Sequence, residues 1–215
     1  MGLSERYEEI CRRIEQSKLH PDHQVTLIAV SKTVPVDRIR ELYELGHRDF
    51  GESRYQEAEP KIRALPGDIR WHFIGALQSN KIRKIGEIFH SVHTLCQADH
   101  LKEFAKLGDP IDVCLEVNTG REAQKSGVFS EGLDNLVSSV LECQQVRLRG
   151  LMTIGPLTES SEETREAFRQ LAQLRSRYPW MDWLSMGMSQ DFEMAIQEGA
   201  SHVRVGSALF GDRKQ

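Results

Sequence analysis

The 215 residues are 39% hydrophobic and 28% charged, an ordinary globular composition that can bury a sizeable core without disulfides or metals. Net charge is −4, and the basic residues (Arg12, Lys61, Lys81, Arg147, Arg175) are scattered rather than striped, so nucleic-acid binding has little electrostatic support. No run of about 18 apolar residues occurs, the N-terminus lacks an apolar signal core, and the four cysteines lack CxxC spacing; together these predict a reduced, cytoplasmic protein outside the membrane.

Residues 3–17 read as a helix ahead of the first strand. The strand at 25–31 is a near-continuous apolar run, and the helix at 36–45 starts after Pro35 and stops at Gly46. Strands are then expected at 49–51, 70–74 and 91–95, each followed by a helix, at 54–64, 81–87 and 98–107. The apolar strand 111–117 precedes a helix at 131–142, and strand 148–154 precedes a helix at 161–176, where Ser160 and Glu163 have capping-box spacing. Strand 182–186 leads to a helix at 189–198, opened by a Ser189 cap and closed at Gly199; strand 202–205 ends with a short helix. Eight strands alternating with helices predict an α/β fold with a parallel sheet covered on both faces. Eight is also the closure number of the TIM barrel. The rival, an open doubly wound sheet, would usually carry a glycine-rich first turn, whereas Ser31-Lys32-Thr33-Val34-Pro35 has no glycine. One (β/α)8 TIM barrel spanning residues 1–215 as a single domain, with an extra N-terminal helix, is therefore expected.

Reactive residues of such barrels gather at the carboxyl ends of the strands. Here those positions hold Lys32, Glu52 and Ser53, His72 and Gly75, Asn118, Met152, Ser185, Arg204 and Gly206. Lys32 is in phase with Thr26, Ile28 and Val30. It either snorkels to solvent or, partly desolvated inside a covered barrel, becomes a neutral amine able to attack an aldehyde. Two consecutive crossovers, Leu184-Ser185-Met186-Gly187-Met188-Ser189 and Arg204-Val205-Gly206-Ser207-Ala208, offer small and hydroxyl residues at helix entrances. That is the usual phosphate grip of the fold, although plain helix capping would also use such turns. Arg204 alternates with Val203 and Val205, so its guanidinium is buried and needs a partner, either a carboxylate such as Glu52 or Glu116 or a ligand acceptor. His72 is expected to point into the barrel, where a satisfied core histidine is the commoner outcome. Asn118 and Lys125 lie in a glycine-bearing loop that suggests a lid after the fifth strand. His90 and His93 lack metal-ligand spacing, and no HExxH, GxSxG or Cys–His signature is present, so no metal is expected.

Ala29-Val30-Ser31-Lys32-Thr33, Gly51-Glu52, Trp71-His72-Phe73-Ile74-Gly75-Ala76-Leu77-Gln78-Ser79-Asn80-Lys81, Leu148-Arg149-Gly150-Leu151-Met152, Leu184-Ser185-Met186-Gly187-Met188-Ser189 and Val203-Arg204-Val205-Gly206 closely resemble the pyridoxal phosphate homeostasis proteins, over nearly the whole chain. The resemblance implies an alanine-racemase N-terminal-domain-like barrel of the fold-type III class, binding pyridoxal 5'-phosphate (PLP). It implies that Lys32 carries the internal aldimine. Ser185, Gly206 and Ser207, with backbone groups near Met186 and Gly187, would hold the phosphate, and Arg204 would face the pyridine nitrogen. Ser53, His72, Ile74 and Met152 complete the expected cofactor site, and Lys125 matches a second lysine linked to PLP handling. Two positions depart from the family pattern: Ser53 stands where asparagine is common, and Ala76 where proline is.

PLP enzymes that make strong carbanions usually set a carboxylate at the pyridine nitrogen, and an arginine there does the reverse. Racemases of this barrel type add a second domain with another base, for which a chain ending at Gln215 leaves no room. A monomeric, non-catalytic PLP carrier that delivers the cofactor to apo-enzymes and supports amino-acid and keto-acid balance is therefore expected. A weak PLP-dependent racemase or Schiff-base lyase is the first alternative, and a cofactor-free regulatory protein the second.

Overall fold

A computed structural model describes residues 2–120, 122 and 124–211. Eight parallel strands close into one barrel in chain order: β1 (Thr26–Val30), β2 (Asp49–Glu52), β3 (Arg70–Phe73), β4 (Ser91–Leu95), β5 (Ile111–Glu116), β6 (Val146–Met152), β7 (Trp183–Ser185) and β8 (His202–Val205). The helices are α1 (Leu3–Ser17), α2 (Val36–Glu44), α3 (Tyr55–Ala64), α4 (Ile82–Ile88), α5 (Leu101–Phe104), α6 (Leu133–Leu141), α7 (Ser161–Ser176), α8 (Phe192–Gln197) and α9 (Ser207–Phe210). Closure comes from β1 pairing with β8, Ile28 opposite Arg204 and Ala29 opposite Val205.

Alternation along the strands sorts two environments. Leu27, Phe50, Trp71, Val113, Leu184 and Val203 join the hydrophobic layer under the helices. The residues between them, such as Ile28, His72, His93, Glu116, Ser185 and Arg204, are buried inside the ring. The outer layer supplies most of the apolar stabilisation. Phe50, Phe104, Phe168 and Phe192 are fully buried, each contributing roughly 1.5–3 kcal/mol relative to exposure. The extra helix α1 buries Leu3, Ile10 and Ile14 along one stripe. It is pinned by Arg13, which bonds Glu193 at 2.6 and 3.1 Å and lies over the Phe192 ring.

Most expected elements form, with displaced ends. Ser160 caps α7 by accepting from the Glu163 amide at 3.3 Å. The expected helix at 98–107 shrinks to a 3-10 turn and the four residues of α5, because Leu107 turns back to pack tightly on Gly86 of α4. Strand β6 ends at Met152 rather than at residue 154, leaving Ile154 on the rim, 41% exposed. Ser189 does not cap α8, which begins three residues later after Asp191; its hydroxyl is used elsewhere.

Candidate functional site

The lysine of the site stands at the carboxyl-end rim where β1 meets β8. β1 stops at Val30, and the chain turns through Thr33, whose φ is +65°. Ser31 anchors the turn: its amide donates to the Gly51 carbonyl at 2.9 Å and its hydroxyl to Glu52 Oε1 at 2.7 Å. Lys61 Nζ then donates to the Ser31 carbonyl at 2.8 Å, to Glu52 at 2.9 Å and to Glu57 at 2.7 Å, and Glu57 accepts the Thr33 amide. Burial pushes the Glu52 carboxyl up, opposed by Lys61 and Ser31. Lys32 itself is exposed, the solvent placement of the two that its position allowed, and is not a desolvated amine. The strand that would have carried it inward ends two residues earlier, so the lysine stands on the rim of a rigidly held turn. The eighth crossover is its neighbour, since a Cβ on Gly206 would lie 3.4 Å from Val30 Cβ.

Beside Lys32, the amides of Gly206 and Ala208 converge on a single oxygen, Ser189 Oγ, at 3.2 and 3.3 Å. Two N–H groups aimed at one oxygen, next to the exposed Ser207, form the kind of backbone nest that a phosphate oxygen fits. Gly187 shapes the preceding turn with a φ of +90°, and a Cβ there would come within 2.5 Å of Ala195 Cβ. Met186 offers only its backbone, because its side chain lies in the outer hydrophobic layer.

Inside the barrel a single chain of hydrogen bonds runs from the carboxyl-end rim to the opposite face. Arg204 donates to Ser185 Oγ and to the Thr153 carbonyl, both at 2.8 Å. Ser185 Oγ lies 2.8 Å from His93 Nδ1, His93 Nε2 lies 3.0 Å from Ser91 Oγ, and Ser91 Oγ lies 2.7 Å from His72 Nδ1. His72 Nε2 then reaches Asp49 Oδ1 at 2.9 Å, and Arg70 holds Asp49 from outside. The two ends fix its direction, since arginine only donates and a carboxylate only accepts. Each hydroxyl and imidazole in between is satisfied when it accepts from the Arg204 side and donates toward Asp49. Burial holds His93 well below the ordinary histidine value, in keeping with this neutral form. Burial would raise Asp49, but hydrogen bonds from His72 and Arg70 outweigh it and keep that carboxyl well below its usual range. Burial lowers Arg204 to about 10, so it stays cationic at neutral pH.

A cavity of about 190 Å³ opens at the ends of β3 to β5, beneath the loop after β5. Ile74, Glu116, Asn118, Lys125 and Ile154 are among its lining residues. The Asn118 amide and the Lys125 ammonium are already engaged. Asn118 Nδ2 donates to the Glu122 carbonyl at 2.8 Å, and Lys125 Nζ donates to Glu122 Oε1 at 2.6 Å and to the Gly155 carbonyl at 2.9 Å. Glu116 is only 5% exposed, and no side-chain hydrogen bond or ion pair reaches it among the described residues. Burial, opposed by Arg204, pushes its carboxyl up to about 7.

The expected residues therefore fall into three groups. Lys32, Gly206 and Ser207 follow the paired strands β1 and β8 at one rim, the Gly187 carbonyl accepts from the Arg204 amide of β8, and Ser53 is partly buried at the end of β2. Ile74, Asn118 and Lys125 line the cavity. Ser185, expected at the phosphate, is fully buried on Arg204 and His93 instead. His72, expected at the cofactor, has both ring nitrogens bound in the barrel and is a core histidine. Met152 is buried within the ring beside Glu116 and Ser185. Neither Glu52 nor Glu116 ion-pairs with Arg204, whose direct partners are a hydroxyl and a carbonyl. Sequence reasoning missed Ser189 as the acceptor in the nest and Ser91 and His93 as links in the chain. The alternation of Ser91 and His93 on one face of a strand whose other face carries Val92 and Thr94 was the available signal.

Comparison with known proteins agrees with this geometry. The family model "Alanine racemase, N-terminal domain" matches residues 7–214. The pyridoxal phosphate homeostasis protein of Aquifex aeolicus is 41% identical, covering 98% of this chain and 95% of its own length; that of Escherichia coli K12 is 42% identical, covering 88% and 86%. A structure of PipY from Synechococcus elongatus PCC7942 with PLP bound superposes with a TM-score of 0.83 at 38% identity, over 98% of this chain and 100% of that one. Alanine racemase from Corynebacterium glutamicum, at 17% identity and a TM-score of 0.72, shares the fold. The chain belongs to the pyridoxal phosphate homeostasis protein family, on the barrel of the alanine racemase N-terminal domain.

Proposed function

We propose that this chain binds PLP through Lys32 and acts in PLP homeostasis as a carrier rather than as an enzyme. The observation that carries the proposal is the juxtaposition at one rim of an exposed lysine and two amides converging on one oxygen. The residues fit the group. The Gly206 and Ala208 amides, with the Ser189 and Ser207 hydroxyls, would hold the phosphate. Lys61, Glu52 and Ser31 keep the lysine turn rigid. Arg204, cationic and unable to accept a hydrogen bond, would leave a pyridine nitrogen unprotonated. When bound, PLP supplies an electrophilic aldehyde carbon to which an amine adds reversibly. PipY carries PLP on the same fold, which supports the assignment. The proposal extends to a monomeric, single-domain protein of residues 1–215 in the cytoplasm that passes PLP to apo-enzymes. Borohydride reduction of the PLP-loaded protein followed by peptide mapping tests it: the label is expected on Lys32. Labelling confined to Lys61 or Lys125 would overturn the assignment.

A second reading, a weak racemase or Schiff-base lyase, draws on Glu116, because a carboxyl titrating at about 7 suits proton transfer. Sustained turnover of amino acids or aldol substrates by the purified protein would favour it.

A further inference from the structure

We propose that the cavity under the loop after β5 is a binding site for an aliphatic primary ammonium group, with the Glu116 carboxylate as its counter-ion and proton acceptor. The inference rests on the PLP-carrier reading for its purpose, because the amine bound there would be the one that takes the cofactor from Lys32.

The lining divides into a charge and an apolar sleeve. Of the charged residues lining it among the described residues, Lys125 gives two of its three N–H donors to Glu122 and the Gly155 carbonyl, whereas Glu116 faces the space with no partner. Thr94 does not satisfy Glu116 either, since the one proton of its hydroxyl goes to the Gly75 carbonyl at 2.6 Å. Ile74, Val117 and Ile154 supply apolar wall, suited to the carbon chain of an alkylamine. A buried carboxyl with no partner is costly when ionised, so a cation entering from the mouth gains what the protein itself does not supply. Among the described residues no cluster of His, Cys, Asp or Glu there could hold a metal ion, which leaves a monovalent donor as the fitting ligand. A primary ammonium has three N–H donors. It can give one proton to the carboxylate, an N–H bond breaking as an O–H bond forms, with nothing oxidised or reduced. What remains is a neutral, nucleophilic amine. The position suits that use, because β5 lies opposite β1 in an eight-stranded ring, and so faces Lys32 across the mouth.

The charged and titratable groups around Glu116 are Arg204 from β8, Asp191 beyond it, Cys114 on its own strand, Cys96 after β4, and Lys125 with its partner Glu122 from the loop. Burial, opposed by Arg204, brings the Glu116 carboxyl that faces the cavity to about 7.

The test uses the full-length apo-protein, n-butylammonium chloride as probe and calorimetry at pH 8. Saturable binding is expected, at least tenfold weaker in Glu116→Gln, at least tenfold weaker at pH 5.5, and weaker for tetramethylammonium, which has no N–H to give. Ile154→Trp, which narrows the mouth without touching the charge, is expected to weaken binding as well, and melting curves confirm that both variants fold. Absence of binding by the wild-type protein, equal binding by Glu116→Gln, or equal binding of tetramethylammonium overturns the amine site. Because none of these measurements contains PLP, that failure is separate from failure of the carrier role, which shows as a missing PLP absorbance band in the wild-type protein.

Discussion

Replacing Glu116 with glutamine removes a buried carboxyl that has no partner among the described residues, and the structure gives the sign and size of the effect. In the folded protein the group titrates at about 7 instead of the ordinary 4.5. Below pH 4.5 it is protonated whether or not the chain is folded, and it contributes no pH dependence. Between 4.5 and 7 the unfolded chain releases the proton and the folded chain does not, so stability falls as pH rises and then levels off. At roughly 1.4 kcal/mol per pH unit the loss approaches about 3 kcal/mol above pH 7. For a chain of this size that is on the order of 6–12 °C in melting temperature. Urea unfolding of wild-type and Glu116→Gln protein at pH 4, 6 and 8 measures it. The stability difference in favour of the variant should grow by about 3 kcal/mol from pH 4 to pH 8. Only the change with pH is diagnostic, since glutamine is itself a buried polar group. Parallel pH profiles for the two proteins would show that the carboxylate is solvated or paired and would refute the reasoning.

Ser185→Ala interrupts the hydrogen-bond chain, leaving Arg204 Nη1 and His93 Nδ1 each short of a partner. A loss of about 1–3 kcal/mol in urea unfolding is expected, together with a shift in the absorbance of bound PLP; an unchanged protein would mean that water replaces the hydroxyl. Gly187→Ala must adopt a φ of +90° and bring its Cβ within 2.5 Å of Ala195 Cβ, so a loss of about 1–3 kcal/mol and weaker PLP binding are expected by titration. His202 is held neutral by burial, at about 3 against an ordinary 6.5. Its contribution is therefore present above pH 6.5 and lost as pH falls toward 3, by up to roughly 5 kcal/mol. Wild-type protein should lose stability to acid more steeply than His202→Leu in parallel urea titrations, and equal slopes would contradict the assignment.

The barrel was legible because its evidence is local and repeated. Runs such as Ile111 to Glu116 are buried at every position, which only a doubly covered parallel strand requires, and eight of them alternate with helices. Chain polarity then placed Lys32, Gly206 and Ser207 at one rim before any coordinates. The sequence was less informative about which polar residue meets which. Ser185 and Ser189 sit four residues apart in one loop, yet one hydroxyl goes inward to Arg204 and the other sideways to the Gly206 and Ala208 amides. That choice depends on where β7 ends, and strand ends are set by tertiary pairing rather than by local pattern. The same shift accounts for Lys32: its phase is inward, but pairing of β1 stops at Val30, so the phase no longer determines burial. Histidines inside a barrel look alike in sequence, whether they face a ligand or, as with His72, only Asp49 and Ser91.

The most direct measurement is the absorbance spectrum of the wild-type and Lys32→Ala proteins after incubation with PLP and removal of the excess. With Lys32 as the attachment point, the wild-type protein keeps an imine band near neutral pH and the variant loses it while remaining folded. An equal band in Lys32→Ala, or none in the wild-type protein, would contradict the role given to the β1/β8 rim.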